Sequence, residues 1–269
     1  MAGLAPSIER LGYESLMLVD PQSLDVIFSY GQSTIAGTSL ETGPYAGGIV
    51  ATVARALRTS QDEDDYKLAD FEAYRPALGR PTAFIGSPVF DGPTMVAIMV
   101  VRFPIGPVQD ALSNNGGWEA EGLGKTGETY LLGPDMTMRV DSRFLLQDRD
   151  RFLEQLGESR LTSRTVEEVR RLGTTILTVP AADAAARAAL NGHHGFMEIE
   201  DYRGEPVFAA YGPIDLDSLR WAVVAKIDRA EALAPLRALG RRILAVGTGL
   251  SLLASLLALG LSAIITRPI

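Results

Sequence analysis

The chain has 269 residues, 46% of them apolar, no cysteine, and a formal net charge of −8. The absence of cysteine excludes a disulfide framework, a thiolate metal site and a cysteine nucleophile. The acidic balance, including the run Asp62-Glu63-Asp64-Asp65 read as a solvated loop, argues against nucleic acid, because phosphate binding needs clustered Lys and Arg.

Met1 to Ser15 shows no charged segment followed by an apolar one, so no export signal is visible. From Ser15 to Ser29, two β-rich runs, Leu16 to Val19 and Val26 to Phe28, flank Asp20-Pro21-Gln22-Ser23 and predict strand, turn, strand. Ile49, Val53 and Leu57 lie four apart and predict a short amphipathic helix. Strands follow at Tyr66 to Tyr74, Thr82 to Phe90 and Thr94 to Phe103. The last of these, TMVAIMVVRF, is too short to cross a membrane and reads as the central strand of a buried sheet.

A second pass begins after Asn114-Asn115-Gly116-Gly117. Thr129 to Leu132 and Met136 to Val140 repeat the opening hairpin, and helical spacing returns at Arg149 to Leu156 and Ala181 to Leu190. Strands are then expected at Gly195 to Glu200, Pro206 to Tyr211 and Leu219 to Ile227, the last with Leu219, Trp221, Val223, Ala225 and Ile227 on one face. Hairpin, helix and three-stranded meander thus occur twice, which predicts an α+β chain of two tandem modules.

From Asp228 the pattern is helical and runs without a clear break into Ile243 to Ile265, which carries no charge and is flanked by Arg241-Arg242 and Arg267. At about 1.5 Å per residue this stretch crosses a bilayer core of about 30 Å. A helix continuous from module to membrane is a mechanical connector. Arg237, Arg241 and Arg242 on the domain side favour a cytosolic tail-anchored domain; a chain lacking an earlier anchor is the alternative.

The strings GLGKTGETYLLGPD (Gly122 to Asp135), RVDSRF (Arg139 to Phe144), DYRGEPV (Asp201 to Val207) and DRAEA (Asp228 to Ala232), with the Trp221 strand and TRPI (Thr266 to Ile269), resemble the second module of double Cache sensor domains. The first module joins the resemblance through GTSL (Gly37 to Leu40), GPY (Gly43 to Tyr45) and PTAFIGSPVF (Pro81 to Phe90). It implies two tandem PAS-like modules with antiparallel sheets: a membrane-distal module over residues 1–113 with its stalk helix truncated, and a proximal module over 118–228. A connector helix at 229–242, a transmembrane helix at 243–265 and the start of a HAMP linker at 266–269 would follow. It further implies an extracytoplasmic sensor in a bacterial inner-membrane receptor of chemotaxis, nucleotide-cyclase or histidine-kinase type, working as a homodimer. That topology overrides the local charges.

Several chemical readings are set aside. Gly124-Lys125-Thr126 suggests a phosphate-binding loop, but that motif needs Gly where Glu119 stands. His193-His194 has no third His, so an exposed turn is preferred to a metal site with Glu198 or Glu200. Nothing resembles a nucleophile elbow, and no enzyme activity, cofactor or metal is expected. Arg139, Asp141 and Arg143, alternating along an expected strand, suit either a carboxylate clamp or a structural ion-pair network, the latter preferred.

The candidate ligand site lies in the first module. Asp70, Tyr74 and Arg75 fall on or just past one strand, Ser87 on the neighbouring sheet, and Tyr45 where a loop feeds the helix. An anion, a cation and aromatic walls suit a small carboxylate or zwitterion, and the resemblance also implies a distal site. The Arg-Trp-Tyr motif of amino-acid-binding members is absent, since Pro76 follows Arg75. Two functions remain from the sequence: a small-molecule sensor signalling through the membrane helix, or a membrane-anchored scaffold without a ligand. Gly247, Ser251 and Ser255, with Ala254, Ala258 and Ser262, place small residues four apart for helix pairing in lipid.

Overall fold

A computed structural model describes residues 15–31, 33–113, 115–120, 122–216 and 219–265. Residues 1–14 of the expected distal module, residue Asn114 of the expected linker, and the expected HAMP start at 266–269 lie outside the described residues.

The chain opens with the antiparallel pair β1 (Leu16–Val19) and β2 (Val26–Tyr30). Their turn is set by Asp20, whose carboxylate accepts from the backbone N–H of Gln22 and Ser23 at 2.8 and 2.7 Å, an Asx turn. Helix α1 (Ile49–Leu57) follows, then β3 (Lys67–Tyr74), β4 (Arg80–Asp91) and β5 (Thr94–Arg102). The five strands form one antiparallel sheet in the order β2-β1-β5-β4-β3, with β5 in the middle. That position pairs it on both edges and buries Ile98 and Val100 under α1, which suits its unbroken Val, Ile and Met sequence.

Helix α1 lies across β3, β4 and β5. Its Ile49, Val50, Val53 and Leu57 are buried with Met17, Val26, Phe84, Ile98 and Val100. The helix comes so close to β4 that a Cβ on Gly86 would stand 2.5 Å from Val53 Cγ1.

Helix α2 (Ile105–Ser113) was not apparent from the sequence. It leaves the first sheet, and its Ile105, Val108 and Leu112 pack into the second core. Next come β6 (Glu128–Leu132), α3 (Arg143–Gln147), α4 (Arg149–Glu158), α5 (Ser163–Leu172), α6 (Ala184–Leu190), β7 (Gly195–Glu200), β8 (Pro206–Leu216) and β9 (Leu219–Asp228). The second sheet is also antiparallel, in the order β6-β9-β8-β7. The chain is therefore α+β with two antiparallel sheets, as the sequence predicted.

Two expectations are corrected. Met136 to Val140 is no strand and makes only isolated bridges: Thr137 with Pro180, and Met138 with Leu132 and Ile176. Pro180 has no N–H, so the bridge at Thr137 cannot extend into a ladder. Leu219, Trp221, Val223, Ala225 and Ile227 do share one face of β9, with Trp221 against Phe71 of β3 at a ring-centroid distance of 6.2 Å; Ala222 and Val224, on the opposite face, join the same core, and Lys226 is buried too. The exit helix is not continuous: α7 (Arg229–Ala232) stops at Leu233, and α8 (Ala234–Ile265) starts afresh. Pro235 then sits in a first turn, where its missing N–H has no partner to lose. The stretch Ala234–Ser262 is long and apolar enough to cross a membrane, and its most apolar part is wholly unburied.

Candidate ligand-binding cavity

Alternation along β3 would place Asp70, Glu72 and Tyr74 on one face. The pairing with β4 breaks that rule, because the register shifts between Ala69 and Glu72. Such a bulge rotates the residues on either side of it to different faces. Ala69 and Tyr74 enter the core under α1, while Phe71 joins the second core and Asp70 turns toward the second sheet.

Beyond the bulge, the end of β3, the loop before α1 and the first turn of α1 enclose a cavity of about 360 Å³, within the usual size range of small-molecule sites. Ile35, Tyr45, Val50, Glu72, Tyr74 and Arg75 line it. The Glu72 carboxylate accepts from the Ile49 N–H at 3.3 Å. This supplies the cap that α1 lacks, since its N-cap residue is Gly48 with no side chain to offer. Arg75 is exposed at the rim and has no ion-pair partner among the described residues.

Tyr74 is the unusual member. It is 97% buried, packs edge-on against Phe84 at 4.9 Å, and its hydroxyl has no hydrogen-bond partner among the described residues. Burial foremost, then the neighbouring Tyr45 and Glu72, pushes its pKa well up, so the group stays a neutral O–H donor at physiological pH. A desolvated donor without an acceptor costs about 1–3 kcal/mol.

The structure thus brings together Tyr45, Tyr74 and Arg75 and excludes Asp70 and Ser87. Ser87 Oγ donates to the Asp65 carbonyl at 3.0 Å. Asp70 grips Arg139 with two bonds, Nε to Oδ1 at 2.7 Å and Nη2 to Oδ2 at 2.9 Å, and accepts from the Trp221 indole at 3.2 Å. It is a pin between the two sheets. The anion at the cavity is instead Glu72, which sequence reasoning missed. Its two-residue spacing from Tyr74 was the available signal, valid on that side of the bulge.

Arg139, Asp141 and Arg143 share no strand face. Burial disfavours the Arg139 charge, but Asp70 and Asp135 overcome this and raise its pKa. Asp141 accepts from the Thr174 hydroxyl and the Thr175 amide at 2.6 and 2.7 Å. Arg143 opens α3 and donates to the carbonyls of Gly127 and Gly124. All three serve as structural ties. His193 and His194 are exposed beside β7, and among the described residues no three His, Asp or Glu side chains converge as a metal site requires.

No protein-family model and no curated protein matches the chain. Solved structures do. The ligand-binding domain of the Pseudomonas fluorescens chemoreceptor CtaA, in complex with L-serine, is 12% identical over 85% of this chain and 80% of its own, with a TM-score of 0.44. The ligand-binding domain of the Pseudomonas aeruginosa PAO1 amino-acid chemoreceptor PctC, in complex with GABA, is 14% identical over 84% and 81%, with a TM-score of 0.45. The extracellular domain of vpHK1S-Z8, assigned as a histidine kinase, is 12% identical over 83% and 71%, with a TM-score of 0.47. No residue role is carried over from them.

Proposed function

We propose that this chain is the extracytoplasmic sensing part of a bacterial inner-membrane receptor, binding a small molecule in the cavity beside α1 and signalling through α8. The cavity itself, with Tyr45 and Tyr74 in its wall, carries the reading. Beside them stand an anion, Glu72, and an unpaired cation, Arg75, the complement of a small zwitterion or carboxylate. In this reading residues 1–113 are the distal module, 118–228 the proximal module, 229–242 the connector, 243–265 the span and 266–269 the start of a HAMP linker. The chain acts as a homodimer, without catalysis or cofactor. A ligand changes output only as far as it binds one position of the exit helix better than the other.

The test is a thermal-shift screen of the full chain in lipid nanodiscs against carboxylates, amines and purines. A specific ligand at 100 times its dissociation constant adds about 2.7 kcal/mol. Arg75→Ala should abolish the response to a carboxylate with the fold intact. No response to any compound favours a membrane-anchored scaffold. Loss of response in Arg139→Ala with Arg75→Ala silent moves the site toward the second sheet.

A further inference from the structure

The loop before β6 contains the Gly-Lys-Thr string that does not qualify as a nucleotide-binding motif, yet its backbone is arranged to hold an anion. Gly124 is left-handed at φ 58°, and the N–H groups of the next two residues point to one place. There the Glu231 carboxylate of α7 accepts from Lys125 N at 2.8 Å, Thr126 N at 2.8 Å and Thr126 Oγ1 at 2.5 Å. Consecutive N–H groups converging after a left-handed residue form an anion-binding nest. A Cβ on Gly124 would lie 2.5 Å from Glu231 Oε1 and displace that carboxylate, while the left-handed φ itself favours glycine.

The loop is held from behind as well. Buried Arg143 donates to the carbonyls of Gly124 at 2.9 Å and Gly127 at 2.5 Å. The Lys125 amide first, then the Thr126 hydroxyl, hold the Glu231 carboxyl below its ordinary pKa, with Arg143 contributing charge. Thr126 Oγ1 also accepts from the Asp228 N–H at 3.2 Å, and the Asp228 carboxylate meets Arg203 at 2.5 Å. Two residues after Glu231 the chain turns at Leu233 into α8.

We infer that Gly124-Lys125-Thr126 is a carboxylate-binding nest with Glu231 as its resident anion, and that this contact is the clasp tying the membrane-directed helix to the second sheet. Charge-assisted bonds to backbone donors are about twice as strong as neutral ones, but Glu231 is only half-buried, so water can compete for it. A contact of that kind opens locally without unfolding the sheet. The clasp stands whether or not the Tyr74 cavity takes a ligand.

The test uses the full chain in nanodiscs and two readings: amide hydrogen exchange at Lys125 and Thr126, and the distance distribution between spin labels on Cys introduced at His193 and Leu239, both exposed. Labelling is clean because the chain has no Cys. Glu231→Ala should speed both amides about tenfold and broaden the distribution. Added formate should refill the nest and slow exchange again, yet leave the distribution broad, because a free anion restores the bonds without the tether. Should Glu231→Ala unfold the chain, Thr126→Ala removes one bond and should give the same changes at smaller size. Unchanged exchange, or no response to formate, overturns the nest; an unchanged distance distribution overturns the clasp.

Discussion

Tyr74 carries a hydroxyl that the fold has desolvated without giving it a partner. Tyr74→Phe keeps the ring against Phe84 and removes the orphaned group, so the ligand-free chain should gain about 1 kcal/mol in denaturant unfolding. A loss of stability instead would show that the hydroxyl has a partner. The opposite arrangement holds at Lys226, fully buried 3.1 Å from Glu128 and in contact with Asp201, which Arg203 also pairs. Removing one member strands the others' charge, so Lys226→Met should destabilise by about 3–5 kcal/mol. Burial alone would raise the Asp201 pKa, but Lys226 and Arg203 together outweigh it and lower it. A depressed carboxyl contributes stability that is complete above its unfolded value and drains away as pH falls through the folded one. Acid unfolding should therefore set in below about pH 4, and Asp201→Asn should flatten that limb, a comparison readable by circular dichroism.

At the level of elements, strand alternation served where ladders were regular and failed where they were not. The bulge in β3 moved Asp70 from the expected ligand set to the junction with Arg139 and Trp221, and put Glu72 in its place. Helix α5 is faint in the sequence because its apolar stripe is just Val166, Val169 and Leu172 among charged residues. Its local marks were nonetheless present: the Thr162 hydroxyl accepts from Thr165 N at 3.2 Å, and Gly173, left-handed at φ 71°, closes the helix. Packing of α1 on β4 gives a sharper test. Gly86→Ala forces a methyl against Val53 and Leu57 and should cost about 1–3 kcal/mol by overpacking. Adding Val53→Ala should recover part of that loss in a double-mutant cycle; strict additivity would mean the helix shifts freely.

For the molecule as a whole, the unburied apolar length of α8 is the feature that no contact within the chain accounts for. A bilayer would satisfy it. Pairing with a second copy would use Gly247, Ser251 and Ser255 or Ala254, Ala258 and Ser262, whose small side chains let helices approach closely in lipid. Single Cys substitutions along residues 247–262, oxidised in membranes, should crosslink strongly on one helical face that includes 251, 254 or 255, and 258. Uniform or absent crosslinking would rule out pairing through these residues.

Local sequence determined most of the elements here. The Asp20 turn, the unbroken apolar β5, the spacing of Ile49, Val53 and Leu57, and the uncharged run after Ile243 all act through neighbours close in the chain, so their signals survive without a fold. Tertiary structure alone decided which side chains meet. Whether Asp70 or Glu72 faces the cavity depends on one register shift against β4, and the partner of Trp221 is set by β3 of the first sheet, whose Phe71 packs against it. The anion for the Gly-Lys-Thr loop comes from more than a hundred residues away, a separation over which no local pattern carries information.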